Sequence, residues 1–343
     1  AKLWDPNRQE DDPTRFKTIV EDQRWVTSVV VLPDSRVVSG SADNTIKLWD
    51  LSQPECDAVR GLTIAEQQGW VRSMAVLPDG RIVSGSGELF GGKGEVKLWD
   101  LSRTKDDPIR VLTMAEHQDR VTSVAVLRCG RIVSGSSDQT VKLWDPSRPK
   151  DDPERVLTMT EHQNWVTCVA VLKDGRIVSG SYDKSVKLCD PSRSDSDPAR
   201  HKTMAGCQDW ITSLCVAPGQ FSIPGSSWPQ ELQLTCVGNR NGAVIIWNVA
   251  TDSVQTLAQH PNAIRGMASL PNGLLLSASM NLVLVHDLQT NSEVARLFLD
   301  QPIQCVAAHP TQPWFVAGHG KQIHAYVLEP WPQHQPEPPW LQA

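Results

Sequence analysis

The chain has 343 residues, with 33 basic and 39 acidic side chains and a formal net charge of −6 at pH 7. This acidic balance argues against a protein that coats DNA or RNA with a basic surface, so we expect no nucleic-acid partner. Hydrophobic residues make up 40% of the chain and charged residues 21%, which is enough for a large core and argues against disorder. The 13 tryptophans, against 5 phenylalanines and 2 tyrosines, indicate that tryptophan occupies a repeated position.

The cysteines and the apolar runs predict where the protein works. The eight cysteines are scattered without a C-x-x-C pair, which predicts reduced structural thiols in a cytoplasmic protein and no zinc site. No apolar stretch reaches the roughly 18–20 residues needed to cross a bilayer, and the first residues, AKLWDPNRQE, lack the apolar core of a signal peptide. We therefore expect no membrane association. The chain does not begin with methionine, which leaves open that it is a piece of a longer protein.

A four-letter string recurs along the first half of the chain. KLWD stands at 2–5, 47–50, 97–100 and 142–145, and KLCD stands at 187–190. A serine–glycine run such as RIVSGS precedes each later copy, and a run such as WVTSVVVL stands further upstream. The starts are 45, 50, 45 and 45 residues apart, which is typical of a structural repeat.

Each unit consists of short β-branched runs separated by turn sequences such as PDSR and SADN, which predicts strands joined by tight turns. In unit one we expect strands near 25–32, 36–40, 45–50 and 58–64. Weaker copies follow: WITSLCVA with AVIIWNV, AIRGMASL with LVLVHDL, and PIQCVAAH with QIHAYVL. They bring the number of units to seven.

Four short strands per unit, with the KLWD and SGS sequences, closely resemble the WD-repeat family over residues 15–329. The resemblance implies an all-β fold, a seven-bladed β-propeller of four-stranded antiparallel blades. Residues 1–14 are then a vestigial partial repeat, and residues 330–343 a tail rich in proline and tryptophan. Since that tail cannot donate a full ladder of hydrogen bonds, we expect residues 15–20, RFKTIV, to supply the outer strand of the last blade and close the ring.

The WD-repeat resemblance also implies a buried chain of His, Ser or Thr, Asp and Trp within many blades. Only unit three keeps all four residue types, and unit four has Cys189 where tryptophan would stand. The network residues implied are His117, Ser134, Asp138 and Trp144 in unit three, His162, Ser179 and Asp183 in unit four, and Ser39, Asp43 and Trp49 in unit one.

Ser, His and Asp are also the elements of a hydrolase triad. Here the set recurs once per blade and is expected inside the sheet, and the sequence has no G-x-S-x-G elbow, Walker loop or H-E-x-x-H motif. The nine histidines form no metal-ligand group. We therefore expect no catalysis, no cofactor and no metal.

The residues at the start of each innermost strand, with those in the turn between the second and third strands, are expected to surround one mouth of the channel. Trp, Tyr and Arg dominate binding hot spots, so this ring is a candidate surface for a protein or peptide partner. The alternative is that each Trp packs flat on the neighbouring blade as a repeat residue. The candidate partner-binding residues are Trp25, Trp70, Arg72, Arg120, Trp165, Tyr182, Trp210, Arg240 and Arg265.

The favoured interpretation is a monomeric interaction scaffold that binds a peptide or protein loop at the channel mouth. The array also resembles those attached to bacterial multidomain signalling proteins. A ligand-sensing arm of a larger nucleotide-binding signalling protein is therefore the first alternative. A substrate-recruiting module of a ubiquitin-type ligase is a weaker one, because no ligase motif is visible.

Overall fold

A computed structural model describes residues 16–21, 24–50, 62–88, 92–101, 110–194, 196–204, 206–217, 234–271, 273–299 and 301–328. The partial repeat expected at 1–14 and the tail at 330–343 lie outside these residues. Within them the chain forms seven four-stranded antiparallel sheets, each built from strands that are consecutive in the chain except in the last sheet. This is the seven-bladed β-propeller that the sequence predicts. The described residues contain no helix long and apolar enough to cross a membrane.

Each of the first four sheets, or blades, runs from an innermost strand to an outermost strand. Blade one contains β2 (Val26–Val31), β3 (Val37–Ser41), β4 (Thr45–Trp49) and β5 (Leu62–Glu66). Blade two contains β6 (Trp70–Val76), β7 (Ile82–Gly87), β8 (Glu95–Trp99) and β9 (Arg110–Met114). Blade three contains β10 (Val121–Val126), β11 (Ile132–Ser136), β12 (Val141–Trp144) and β13 (Val156–Met159). Blade four contains β14 (Val166–Val171), β15 (Ile177–Ser181), β16 (Val186–Cys189) and β17 (His201–Thr203).

The remaining blades follow the same order. Blade five contains β18 (Ile211–Ala217), β19 (Leu234–Asn239), β20 (Ala243–Asn248) and β21 (Ser253–Gln259). Blade six contains β22 (Ile264–Ser269), β23 (Leu274–Ser279), β24 (Leu282–Asp287) and β25 (Ser292–Phe298). Blade seven contains β26 (Ile303–Ala308), β27 (Trp314–His319) and β28 (Gln322–Val327). Short 3₁₀ turns at Pro153–Arg155 and Pro198–Arg200 precede the outermost strands of blades three and four.

The fourth strand of blade seven is β1 (Phe16–Glu21), from the other end of the described chain. It pairs antiparallel with β28, with Phe16 opposite Tyr326 and Glu21 opposite Gln322. The expected closing strand at 15–20 is therefore confirmed over residues 16–20 and continues to Glu21, and Arg15 lies outside the described residues. In blade one, β5 covers the described part of the outermost strand expected at 58–64, and residues 58–61 lie outside the described residues. Its register is set by the pairing of Leu48 with Leu62.

The hydrophobic core lies between neighbouring blades. The second strand of each blade is buried on both faces; β11, for example, is buried along its whole length. Small residues there allow close approach: a Cβ added to Gly135 would stand 2.6 Å from Cγ1 of Val166 on the next blade. The β-branched residues of one blade therefore pack directly on the backbone of its neighbour, which excludes water from the contact.

Every innermost strand carries the same irregularity at its start. The pairing of the first and second strands shifts register by one residue after the first paired residues, which is the signature of a β-bulge. The residue that each bulge leaves unpaired is Thr27, Arg72, Thr122, Thr167, Thr212, Arg265 and Gln304 in blades one to seven. A bulge redirects a side chain, and five of these seven line one cavity described below.

Candidate protein-interaction surface at the channel mouth

The four polar residue types of blade three form one continuous chain of hydrogen bonds. The Trp144 indole N–H donates to Ser134 Oγ at 2.7 Å, and His117 Nε2 lies 2.7 Å from the same hydroxyl. His117 Nδ1 lies 2.8 Å from Asp138 Oδ2. When the Ser134 hydroxyl donates to His117 Nε2 and the His117 Nδ1–H donates to Asp138, every donor from the Trp144 indole to the His117 ring has an acceptor. Since His117 and Ser134 have no exposed surface, this arrangement fixes the blade and presents no hydroxyl to a substrate.

The acid at the end of each chain is held ionised. Burial opposes the charge of Asp138, but the His117 and Thr140 side chains and the Gln118 amide outweigh it and lower its pKa well below the ordinary range. The pKa of Asp183 is lowered to about 2 against the same burial effect, by hydrogen bonds from Ser185, from the Gln163 amide and from His162. Burial lowers the pKa of His162 despite its contact with Asp183, so the imidazole of this pair is neutral near pH 7.

The other early blades contain parts of the chain. In blade four His162 reaches Ser179 and Asp183, both at 2.8 Å, but Cys189 leaves that serine without an indole donor. In blade one the Trp49 indole donates to Ser39 at 2.8 Å, and Asp43 accepts from the Thr45 side chain and backbone instead of from a described histidine. In blade two Gln67 takes the histidine's place and donates to Ser84, which also accepts from Trp99.

One further histidine of this set, in blade six, was not predicted from the sequence. His260 of blade six lies 2.8 Å from Ser277 and 2.9 Å from Ser279, fully buried. Its signal is spacing: His117 and His162 each stand four residues before an innermost strand, and His260 stands four before β22. Blade five follows a different rule, because Val237 occupies the serine's place and the Trp247 indole donates to Asp252 at 2.9 Å.

At the channel mouth, two of the predicted tryptophans are exposed. Trp25 exposes 56% of its surface and Trp165 40%, whereas Trp70 and Trp210 are half-buried. In blades one, three, four and five a backbone hydrogen bond ties the residue before the innermost strand to the turn after the second strand. In blade four, for example, the Tyr182 amide donates to the Trp165 carbonyl at 3.0 Å. These bonds bring side chains from the two loops together.

Five predicted residues of blades three to five form a stacked row, which we call the aromatic arc. Its members are Arg120, Trp165, Tyr182, Trp210 and Arg240. The Arg120 guanidinium carbon lies 4.6 Å from the Trp165 ring centroid, and the Arg240 carbon lies 4.2 Å from the Trp210 centroid. Between them Tyr182 stacks on Trp210 at 4.5 Å and tilts against Trp165 at 5.7 Å. The ring faces are therefore packed on one another and capped by cations at both ends.

A cavity of about 250 Å³ opens beside the arc at the mouth. Of the predicted partner-binding residues, Arg120, Trp165, Tyr182 and Arg265 line it, together with the bulge residues Thr122, Thr167, Thr212 and Gln304. The other predicted residues lie outside this lining. They are Trp25, Trp70, Arg72, Trp210 and Arg240. The described residues hold no cluster of three or more His, Cys, Asp or Glu side chains that could bind a metal ion.

The bulged threonines join neighbouring blades. Thr122 Oγ1 donates to the Gly135 carbonyl of its own blade at 2.9 Å and to the Val166 carbonyl of the next at 2.6 Å. Thr167 makes the equivalent bonds to Gly180 at 3.0 Å and Ile211 at 2.8 Å. Their hydroxyls are therefore used within the ring and are not available to a ligand.

The fold defines the class of protein, a seven-bladed β-propeller. A family model, the WD domain, G-beta repeat, matches residues 14–50, 61–100, 108–145 and 153–190. Each match covers the outermost strand of one blade and the three inner strands of the next, so the chain contains four WD40 repeats. WD40 propellers are in general non-enzymatic scaffolds.

Solved structures similar to this chain share its fold. The WD40 β-propeller domain of Doa1 is 21% identical with a TM-score of 0.71, over 92% of this chain and 96% of that one. The RRP9 WD40 repeats and U3-55K are each 18% identical, with TM-scores of 0.73 and 0.72, over 92% of this chain and 98% and 99% of theirs. No curated protein matches the chain.

Proposed function

We propose that the protein is a non-enzymatic interaction scaffold that binds a peptide or a protein loop at the channel mouth. The observation that carries the proposal is the exposure of Trp25 and Trp165 at the mouth, 56% and 40% respectively. Large aromatic side chains are usually buried, and when exposed beside arginines they resemble the hot spots of interfaces. The alternative, that the indoles pack only between blades, does not account for that exposed area.

The aromatic arc supports the proposal through its rigidity. Trp165, Tyr182 and Trp210 are held by stacking on one another and by backbone hydrogen bonds between the loops that carry them. A partner would therefore meet side chains whose conformational freedom is already limited, which lowers the entropy cost of binding.

The test compares peptide binding to the wild type with binding to a W165A/W210A double variant. Peptides are selected on the wild type from a displayed random library, and the affinity of each selected peptide is measured for every variant. We expect binding at least about tenfold weaker in the double variant, with the melting temperature of the wild type retained. F298A is the matched control, because Phe298 is 60% exposed on the outermost strand of blade six. A folded double variant that binds the selected peptides as the wild type does would refute the site.

We also propose that the scaffold is a monomer in the cytoplasm. Closure of blade seven by β1 leaves its sheet with no open edge at β28 to pair with a second copy. The seven cysteines among the described residues are free thiols, and burial raises the pKa of Cys168 and Cys305 to about 12, which keeps both unreactive. Sedimentation at micromolar concentration tests the first point, and imaging of the tagged chain in cells tests the second.

A further inference from the structure

Blade two departs from the repeat at the mouth. At the bulge of the innermost strand, Thr27, Thr122 and Thr167 each donate to two carbonyls, one in their own blade and one in the next. Blade two has Arg72 at this position. At the position where blades one, three and four have a threonine that joins two blades, blade two therefore has a long cationic side chain.

The Arg72 guanidinium has donors to spare. Its Nε and Nη2 atoms are buried and have no hydrogen-bond partner among the described residues, and its Cζ lies 5.4 Å from the Trp70 ring centroid. Burial lowers the pKa of Arg72 to about 10; the like charge of Arg120 adds to this effect and Asp119 opposes it. Burying two donors without a hydrogen-bond partner is costly, and an acceptor supplied from outside the ring would offset that cost.

The surroundings are cationic. The cavity beside the arc is lined by Arg120 and Arg265, and its described lining contains no carboxylate. The nearby Asp119 is engaged, because its Oδ1 accepts from the Arg120 amide at 2.6 Å. A cationic ligand is disfavoured here, since arginines already cap both ends of the aromatic arc. The whole protein has a net charge of −6, so attraction for an anion at this mouth would come from the local arginines and not from the overall charge.

We propose that the mouth binds the carboxylate of an acidic residue in the partner segment, with Arg72 as its bidentate donor and Arg120 beside it. The Nε and Nη2 atoms form one edge of the guanidinium, and two parallel N–H groups along an edge match the two oxygens of a planar carboxylate. The cavity of about 250 Å³ has room for the acidic side chain that carries it; Arg120 lines this cavity, whereas Arg72 lies outside the lining and would turn its guanidinium towards the bound carboxylate. This inference rests on the proposed function, because it names the chemistry of the segment that the mouth would bind.

The test uses labelled hexaglutamate, with hexaglutamine and a phosphoserine hexapeptide as comparison probes, and follows fluorescence polarisation on the wild type and on R72T and R81Q. Arg81 is the matched control, because it lies in the same blade and pairs with Asp79 in a turn at the opposite end of the strand. We expect hexaglutamate to bind the wild type and R81Q, hexaglutamine to bind neither, and R72T to weaken hexaglutamate binding about tenfold or more.

A stability measurement accompanies the titration. R72T restores the threonine of the repeat, which can bridge to the Gly85 and Val121 carbonyls as its counterparts do, so its melting temperature is expected to equal or exceed that of the wild type. A lower melting temperature would mean that Arg72 holds the ring together, and the inference would fail. It would also fail if hexaglutamate bound R72T unchanged, or if only the phosphoserine peptide bound.

The two proposals fail in different ways. If the selected peptides bind W165A/W210A more weakly but hexaglutamate binds R72T as tightly as the wild type, the interaction surface is supported and the carboxylate site is refuted. If the selected peptides bind W165A/W210A with the affinity they have for the wild type, the proposed function itself is refuted.

Discussion

Blades one to four and blades five to seven reach the same architecture by different chemistry. In blades one to three a tryptophan indole donates to a serine of the second strand at 2.7 or 2.8 Å. In blade five the serine is replaced by Val237, and in blade six His286 stands where the tryptophan would be. The core of blades six and seven instead includes the stacked pair Phe315 and Tyr326, with ring centroids 5.2 Å apart.

Both regions nevertheless share the four-stranded sheet and the bulge at the start of the innermost strand. The shared features depend on apolar alternation and on the close packing of neighbouring blades, and these survive in every unit. The buried polar chain therefore fixes the local geometry of a blade, while the apolar pattern determines the fold. The predictions below test that division.

The largest effect is expected from removing the strand that joins the two regions. β1 lies within the first WD40 match but completes the divergent blade seven by pairing with β28. Deletion of residues 1–21 exposes an unpaired edge and opens the ring, so we expect a loss comparable with the whole stability of a domain, about 5–15 kcal/mol. Circular dichroism melts of this variant and of a chain lacking 330–343 check it. Melting of the 1–21 deletion like the parent would contradict closure.

The second effect separates the polar chain from the fold. S134V introduces the side chain of blade five into blade three and leaves the Trp144 indole and His117 Nε2 without a partner, at a cost of about 2–4 kcal/mol. H117Q is the matched control, because Gln67 already donates to the equivalent serine of blade two, and we expect it to cost about 1 kcal/mol. Urea unfolding measures both. Equal costs would mean that the serine contributes no more than its neighbours.

Sequence reasoning predicted what each unit encodes locally. The repeat spacing predicted seven blades, and the proline-rich tail led to the prediction that RFKTIV closes the ring, which β1 confirms over residues 16–20. It did not predict the aromatic arc, because the contact of Tyr182 with Trp210 joins a turn of one blade to a loop of the next.

The hydrogen bond from the Trp247 indole to Asp252 could not be predicted from the sequence either. It depends on the loss of a serine in the neighbouring strand, and the WD-repeat resemblance implied a network partner instead. His260, by contrast, could have been found from the four-residue spacing. The bulge at Arg72 is visible only in the pairing register, which no single strand encodes.

The third prediction concerns acid. Burial lowers the pKa of His260, His309 and His324 to about 4, and all three belong to blades six and seven. The folded state therefore favours the neutral imidazole: its contribution is complete above about pH 6.5 and is lost as the pH falls towards 4. Each histidine then removes about 2 kcal/mol between pH 7.5 and 5. Urea unfolding at pH 7.5 and 5.0 measures the loss, and H260Q should reduce it by one histidine's share. An unchanged pH dependence in H260Q would assign the acid sensitivity elsewhere.

The smallest effect is expected from removing the ion pair that recurs in the first turn of several blades. In blades one, two and four an arginine of the first turn pairs with the aspartate two residues earlier, at 2.7 or 2.8 Å; the aspartates are exposed and the arginines are partly buried. Solvent screens such pairs, so R81Q should cost less than about 1 kcal/mol, and the R36Q, R81Q and R176Q changes should add because the sites are far apart. Urea unfolding of the single and triple variants checks this. A loss of unfolding free energy in the triple variant that exceeds the sum of the single variants would show that these turns support the ring.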